Sequence, residues 1–407
     1  MTEFTVDIIS LVYEGHGLGR LPDGKAVFVP FVLPGEKARI KIREEKKRFA
    51  YGELIEILEA SDDRITPSCK HFGNCGGCHY QYIPYELQLE YKRSIFCEQL
   101  QRMSGIEEPI VEKIIPSDQE WNYRNSLQFH LSPEGKLAFI DPKHSNAFKV
   151  EECLLPMGEI ANIWPLLNFE KENQIRRIEI RQNEKDETLV KLEGALAAIP
   201  EIEITSSISM VHSNANEQVV ISGDDHLIVS LSGKNFKVSA GSFFQTNLSG
   251  AKALVDCVLE MTEGFQGTLM DLYCGVGLFS TFLAEKFERI ISIESSASAC
   301  QDFVENLDQY DHIALYEGKV EKVLPGLEIK PDCVVIDPPR KGIDRFALDA
   351  LVEKRPPAII YVSCNPATLA RDVKRLMRSG YTLERSIIVD MFPQTFHIES
   401  VNYLTIK

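Results

Sequence analysis

From about residue 241 onward, short apolar runs alternate with helical stretches, and each run ends beside a side chain capable of chemistry. Residues 267–272 lead into Tyr273-Cys274-Gly275-Val276-Gly277, and a helix follows through Phe287. Residues 289–293 end at Glu294, with a helix through Tyr310; residues 332–336 end at Asp337; residues 358–362 run into Ser363-Cys364-Asn365-Pro366. Further strands are expected at 385–391 and 400–406. This alternation predicts a doubly wound α/β sheet, in which ligands gather outside the carboxyl ends of the strands.

The glycine loop is the first sign of a ligand. Gly275 and Gly277 allow a tight turn from strand to helix and a close approach of backbone to a bound group. Asp271 opens the motif. Glu294 ends the next strand about twenty residues on, where an acidic residue takes a ribose hydroxyl pair in nucleotide-binding folds. The combination predicts a nucleoside-containing cofactor. In Asp337-Pro338-Pro339-Arg340 the prolines remove two backbone donors and stiffen the turn, which lets the aspartate reach a ligand at the strand end. In Phe243-Phe244-Gln245-Thr246-Asn247, Asn247 is placed to cap the helix beginning near Leu248, and Gln245 to bind.

A lone cysteine is usually a small buried hydrophobe. Cys364 differs because it shares a domain with a cofactor loop and with an acid, Glu399, in Phe396-His397-Ile398-Glu399. A thiolate can add to C6 of a pyrimidine and make C5 nucleophilic enough to take a methyl group. A carboxylate can then remove the C5 proton so that the cysteine leaves. Cys364 and Glu399 are the candidate nucleophile and base. His397 is the alternative base, but a structural or substrate-contacting role suits it better.

Upstream, Cys69, Cys75 and Cys78 lie in one glycine-rich segment, with Cys153 as a distant fourth. Four thiolates can hold zinc or a [4Fe–4S] cluster, and spacing does not separate the two. Cys97, Cys257, Cys300 and Cys333 read as core residues, and Cys274 as a small residue fitting its turn. Pro84 opens a helical pattern that ends near Gly105. Residues 110–240 read as mostly β, with runs at 126–131, 137–140, 177–181, 189–192 and 219–221. Residues 1–60 carry short apolar runs at 6–12, 26–32, 38–42 and 51–58, punctuated by glycine and proline, and suggest a small barrel. The expected division is 1–60, 61–240 and 241–407.

The formal net charge of −16 is poor for non-specific phosphate binding. A nucleic-acid partner would need basic residues gathered on one face. One such cluster runs from Lys37 through Arg39, Lys41, Arg43, Lys46 and Lys47 to Arg48. A solvated strand pair with a charged turn explains that cluster equally well. No apolar stretch is long enough to cross a bilayer, and the first residues lack a signal-peptide pattern. The expected compartment is the cytoplasm, where ten cysteines serve as thiols, ligands or catalytic groups rather than disulfides.

Taken together these motifs resemble the iron–sulfur RNA uracil-5-methyltransferases that act on ribosomal RNA, over essentially the whole chain. The resemblance implies that the N-terminal unit is a TRAM-type RNA-binding barrel and that the C-terminal unit is a Rossmann-like methyltransferase domain. It implies S-adenosylmethionine at Gln245, Tyr273, Glu294 and Asp337. It also implies Cys364 as nucleophile, Glu399 as base and a [4Fe–4S] cluster on Cys69, Cys75, Cys78 and Cys153. By the same resemblance, the helix from Pro84 packs on the catalytic domain. The implied partner is 23S rRNA, favoured over the T-loop of tRNA because barrel and cluster occur together; no membrane is involved, and the chain is expected to be a monomer. Three readings compete: a redox or radical iron–sulfur protein, an RNA-binding module with a dead methyltransferase fold, and a base-amino methyltransferase that needs no nucleophile.

Overall fold

In the computed structural model of the chain, residues 2–406 are described apart from 133, 142–146, 168, 170–173, 196–207 and 215–216. The C-terminal strands form an eight-stranded sheet in the spatial order 313–317, 289–294, 268–272, 333–336, 358–363, 399–406, 381–389 and 111–115. The first five run parallel, and their interiors are mostly apolar, as strands covered on both faces require, with Asp271 and Ser292 as buried polar exceptions. Strand Glu399–Ile406 is antiparallel to both neighbours, with Ser363 opposite Ser400. That register brings the start of this strand to the edge where the parallel strands end. The strand order reverses around Thr268–Leu272, which creates the crevice where such sheets hold ligands.

The edge strand Val111–Ile115 comes from far upstream and pairs parallel with Tyr381–Val389. The helix Tyr85–Ser104 also belongs to this layer, and packs on the helix Pro366–Arg378. Pro84 is the residue before that helix, with ψ of 144°, rather than its first helical residue. Gly105 closes the helix with φ of +88°, a conformation glycine adopts without strain. Strands His226–Leu231 and Lys234–Ser239 form a separate hairpin whose inner face, including Phe236 and Val238, joins the core beneath the helix Leu248–Met261. The remaining strands between 126 and 222 form a seven-stranded sheet with its own core around Phe129, Trp164 and Ile178.

Five strands between Glu3 and Glu59 close into a barrel. One of them, His16–Arg20, contains the glycines that read as loop punctuation in the sequence. The reason is steric. A Cβ on Gly17 would stand 2.3 Å from Val32 and 2.9 Å from Ile8, so the barrel interior has no room for a side chain there. The basic cluster lies mainly on a strand pair whose cations face glutamates: Lys37 with Glu59, Arg39 with Glu56, and Lys46 with Glu44. Three of the seven cations in the cluster are paired in this way.

Lys92 and Asp390 are both fully buried, with Lys92 Nζ 2.6 Å from Asp390 Oδ1 and 3.0 Å from the Phe392 carbonyl. Replacing Lys92 with Met leaves an unpaired carboxylate in the core. Lys92→Met should lower unfolding free energy by about 3–5 kcal/mol. The double variant Lys92→Met/Asp390→Leu should recover most of that loss, as read by denaturant titration.

Candidate active site

A cavity of about 1110 Å³ opens along the carboxyl edge of the C-terminal sheet. Cys364, Glu399, Asp337, Glu294, Tyr273 and Gln245 all line it. So do Cys69, Cys75, Cys78 and Cys153, on the opposite wall. Residues spread over more than three hundred positions of sequence thus meet around one space.

The glycine loop is built by backbone geometry. Tyr273, Gly275 and Gly277 all have positive φ, at 65°, 54° and 93°. A Cβ on Gly277 would crowd the Leu307 side chain at 2.6 Å, and its φ of 93° is strained for any residue with a side chain, so glycine suits the position. Asp271 does not face the cavity. Its carboxylate accepts from the Ser280 amide at 3.1 Å and from the Ser280 hydroxyl at 2.6 Å, and so ties the loop to the following helix. Glu294 accepts from the amides of Gly275, Ser295 and Ser296 at 3.0, 2.6 and 2.7 Å. These bonds fix the carboxylate at the strand end. The Asn247 side chain accepts from the Gly250 amide and caps its helix. The neighbouring Gln245 is held at its carbonyl by the Asn125 amide group at 3.1 Å.

Cys364 sits at the turn between strand Ala358–Ser363 and helix Pro366–Arg378. Asn365 caps that helix, accepting from the Ala367 and Thr368 amides. The Asn365 amide group and the Thr368 hydroxyl both donate to the Arg340 carbonyl at 3.3 Å, which locks the cysteine turn against the Asp-Pro-Pro-Arg turn. Asp372 holds the same turn from beyond, accepting from the Ile343 amide at 2.9 Å and from the Tyr361 hydroxyl at 3.0 Å.

Burial dominates the electrostatics. It pushes the Cys364 thiol up to about 12, helped by Glu399 and Asp337 and opposed by Arg340. Asp337 rises to about 7 through burial and the nearby Asp271. Glu399, only 5% exposed, is raised well above the carboxylate range by burial and Asp337. His397 is driven down to about 2, first by burial and then by Arg340, so its ring is neutral. It packs between Phe396 and Phe392. Charge from a bound ligand and the amino end of the Pro366–Arg378 helix both act to favour a Cys364 thiolate.

The four cysteines are met by backbone donors and by one cation. The Gly77 amide points at Cys75 Sγ from 3.3 Å. Backbone donors of His71 and Phe72 face Cys69, and that of Leu155 faces Cys153. The Arg124 guanidinium lies in electrostatic contact with Cys75, Cys78 and Cys153. Donors and a cation aimed at sulfur suit metal-bound thiolates. Among the described residues, no three His, Cys or acidic side chains converge tightly enough to share one ion. No sequence signal marked Arg124, which reaches the thiols only through tertiary structure.

Two family models match the chain. The tRNA (Uracil-5-)-methyltransferase family matches residues 194–315 and 326–407, and the TRAM domain matches residues 2–55. A protein named as an RNA methyltransferase in Halalkalibacterium halodurans is 31% identical, covering 99% of this chain and 96% of its own length. One from Aquifex aeolicus is 34% identical, covering 98% and 97%. The crystal structure of Pyrococcus abyssi tRNA (uracil-54, C5)-methyltransferase with S-adenosyl-L-homocysteine superposes with a TM-score of 0.76 at 24% identity, covering 98% of this chain and 100% of that one. At that identity the likeness establishes a shared fold. The chain belongs to the tRNA (uracil-5-)-methyltransferase family of S-adenosylmethionine-dependent RNA methyltransferases, and it carries an N-terminal TRAM domain.

The raised Asp337 pKa has a signed consequence for stability. The folded ligand-free protein keeps a proton that the unfolded chain releases near 3.8, so stability from this group is lost as pH rises toward about 7. Asp337→Asn removes the effect. Its stability relative to the parent should therefore increase between pH 5 and pH 8, by on the order of a few kcal/mol. Thermal melts of both proteins across that range would show it, and a constant difference would contradict it.

Proposed function

We propose, starting from that membership, that the protein methylates C5 of a specific uridine in 23S rRNA in the cytoplasm. The observation that supports the C5 chemistry in this reading is the register of Ser363 against Ser400, which sets Cys364 and Glu399 at one edge of one cavity; the choice of 23S rRNA follows from the motif resemblance alone. Gln245, Tyr273, Glu294 and Asp337 would hold S-adenosylmethionine, which would supply the electrophilic methyl carbon bonded to its sulfonium and would leave as the neutral thioether when that C–S bond breaks. Cys364 Sγ adds to C6 of the uracil, and the electron pair moves to C5, which takes the methyl group. Glu399 then removes the C5 proton as the C6–S bond breaks and returns the electron pair to sulfur. Burial and Asp337 favour the protonated form of Glu399 in the ligand-free protein, so its role as base requires the carboxylate, which the positive charge of a bound sulfonium would favour.

Cys69, Cys75, Cys78 and Cys153 are assigned to a [4Fe–4S] cluster. The methyl transfer moves no net electrons, and the cluster's assigned role is to join the 69–78 loop to Cys153. In the proposed division, residues 1–60 and 61–240 contact RNA and residues 241–407 carry the chemistry, in a single monomeric chain. The family name and the P. abyssi neighbour favour a second reading, in which the target lies in tRNA.

Labelled-methyl transfer to unmodified total RNA, with product mapping, separates the two targets. 5-Methyluridine in large-subunit rRNA is the expected product, and its appearance in tRNA alone would move the target and keep the chemistry. RNA containing 5-fluorouracil has no C5 proton for Glu399 to remove, and should trap a stable protein–RNA adduct through Cys364. Cys364→Ala should form no adduct and lose at least about a thousandfold in turnover. Methylation surviving in that variant would overturn the nucleophile. Cys153→Ser should lose iron and acid-labile sulfide together.

A further inference from the structure

We propose that unpaired bases flanking the target uridine stack along a run of rings leading from the active-site cavity out over the N-terminal barrel. This rests on the reading of the chain as an RNA methyltransferase.

Strand alternation creates the outer part of the run. Val27, Val29 and Ala50 are fully buried in the barrel, which turns the intervening Phe28, Phe49 and Tyr51 outward. Their ring centroids lie 5.5 to 5.8 Å apart, and none of the three belongs to the barrel core. His16 continues the run at 6.1 Å from Tyr51. The chain then passes Gly15, where an added Cβ would stand 3.3 Å from Phe396. Phe396 meets His397 at 4.4 Å, and His397 lines the cavity with Cys364 and Glu399. Tyr13, from the same barrel loop, meets Phe396 edge-on at 6.0 Å.

Electrostatics favours this surface over a phosphate-binding one. The protein carries a net charge of −16, and its main basic cluster faces glutamates. Ring stacking is the other main source of affinity for single-stranded RNA, and it does not depend on net charge. Two exposed arginines lie beside the run where backbone phosphates would pass. Arg43 neighbours His16, and Arg340 neighbours Cys364.

The test is fluorescence anisotropy with a labelled oligouridylate of about twelve nucleotides and a matching oligomer whose sugars lack bases. The wild-type protein should bind the base-bearing probe at least about tenfold more tightly. Phe28→Leu/Tyr51→Leu should weaken oligouridylate binding by about tenfold or more and should discriminate less between the probes. Equal affinity of wild type for both probes would overturn the proposal without recourse to any variant. A folded double variant, checked by its melting curve, that binds oligouridylate like wild type would also overturn it. If the substitutions change only the mass in light scattering, the rings are a contact between copies and the proposal falls. Methyl transfer to unmodified rRNA is measured separately. Its absence alongside base-dependent oligouridylate binding would fail the enzymatic reading and leave the stacking run standing.

Discussion

The buried pair of Lys92 and Asp390 ties the helix Tyr85–Ser104 to the loop that precedes Glu399. Taking both charges out of water is costly, and the cost is offset only where every remaining bond is made well. Here the ammonium also donates to the Phe392 carbonyl, and Asp390 Oδ1 accepts from the Phe392 amide, while Asp390 Oδ2 is buried without a hydrogen-bond partner among the described residues, so the offset is incomplete. Gln88, one turn earlier on the same helix, exchanges hydrogen bonds with Gln394 through both its amide nitrogen and its oxygen. The amides of His79 and Tyr80 donate to the Gln394 carbonyl at 2.8 and 3.0 Å. The loop from Asp390 to Ile398 is therefore held from the upstream side, and Glu399 follows it directly. A hydrophobic pair could fill the same volume, but it would not fix the loop's direction.

That attachment explains why the cysteine-rich segment and the catalytic edge face a common cavity. Cys78 immediately precedes His79, whose backbone is pinned to the Glu399 loop and whose ring lies 4.5 Å from Phe396. The segment carrying Cys78 and the segment leading to Glu399 are thus joined by backbone hydrogen bonds and a ring contact. A group bound by the four cysteines would brace this unit from the far side. Its loss would loosen the placement of Glu399 without touching Cys364, which is anchored separately through Asn365 and the Arg340 carbonyl.

The sequence revealed those parts of the site where local pattern and tertiary position coincide. Glu294, Asp337 and Cys364 stand at the ends of short apolar strands, and a parallel sheet puts such ends along one edge. Glu399 was legible only through its motif. It begins a strand instead of ending one, and it reaches the same edge because that strand is antiparallel, a pairing decided by contacts distant in sequence. Gly17 and Gly19 misled for a related reason. Glycine usually punctuates loops, yet these two lie within a strand where Val32, Ile8 and the Asp7 carbonyl leave little or no space for a side chain. The strand at Val111–Ile115 carries no local sign that its partner is Tyr381–Val389.

The acidity that argued against an RNA enzyme is better understood from particular contacts than from the total. Surface glutamates opposite Lys37, Arg39 and Lys46 remove net charge from the face that looked most suited to phosphate. Meanwhile, burial around Asp337 and Glu399 favours their neutral forms, so the cavity itself is less anionic than its composition suggests. A deep site of this kind does not repel an incoming uracil, which is itself neutral. The repulsion falls instead on the flanking phosphates. An enzyme so charged gains selectivity from this arrangement: duplex RNA presents phosphates and no free base faces, whereas an unpaired segment presents bases that can stack. Net negative charge then opposes non-specific binding, and the rings admit only RNA whose bases are exposed.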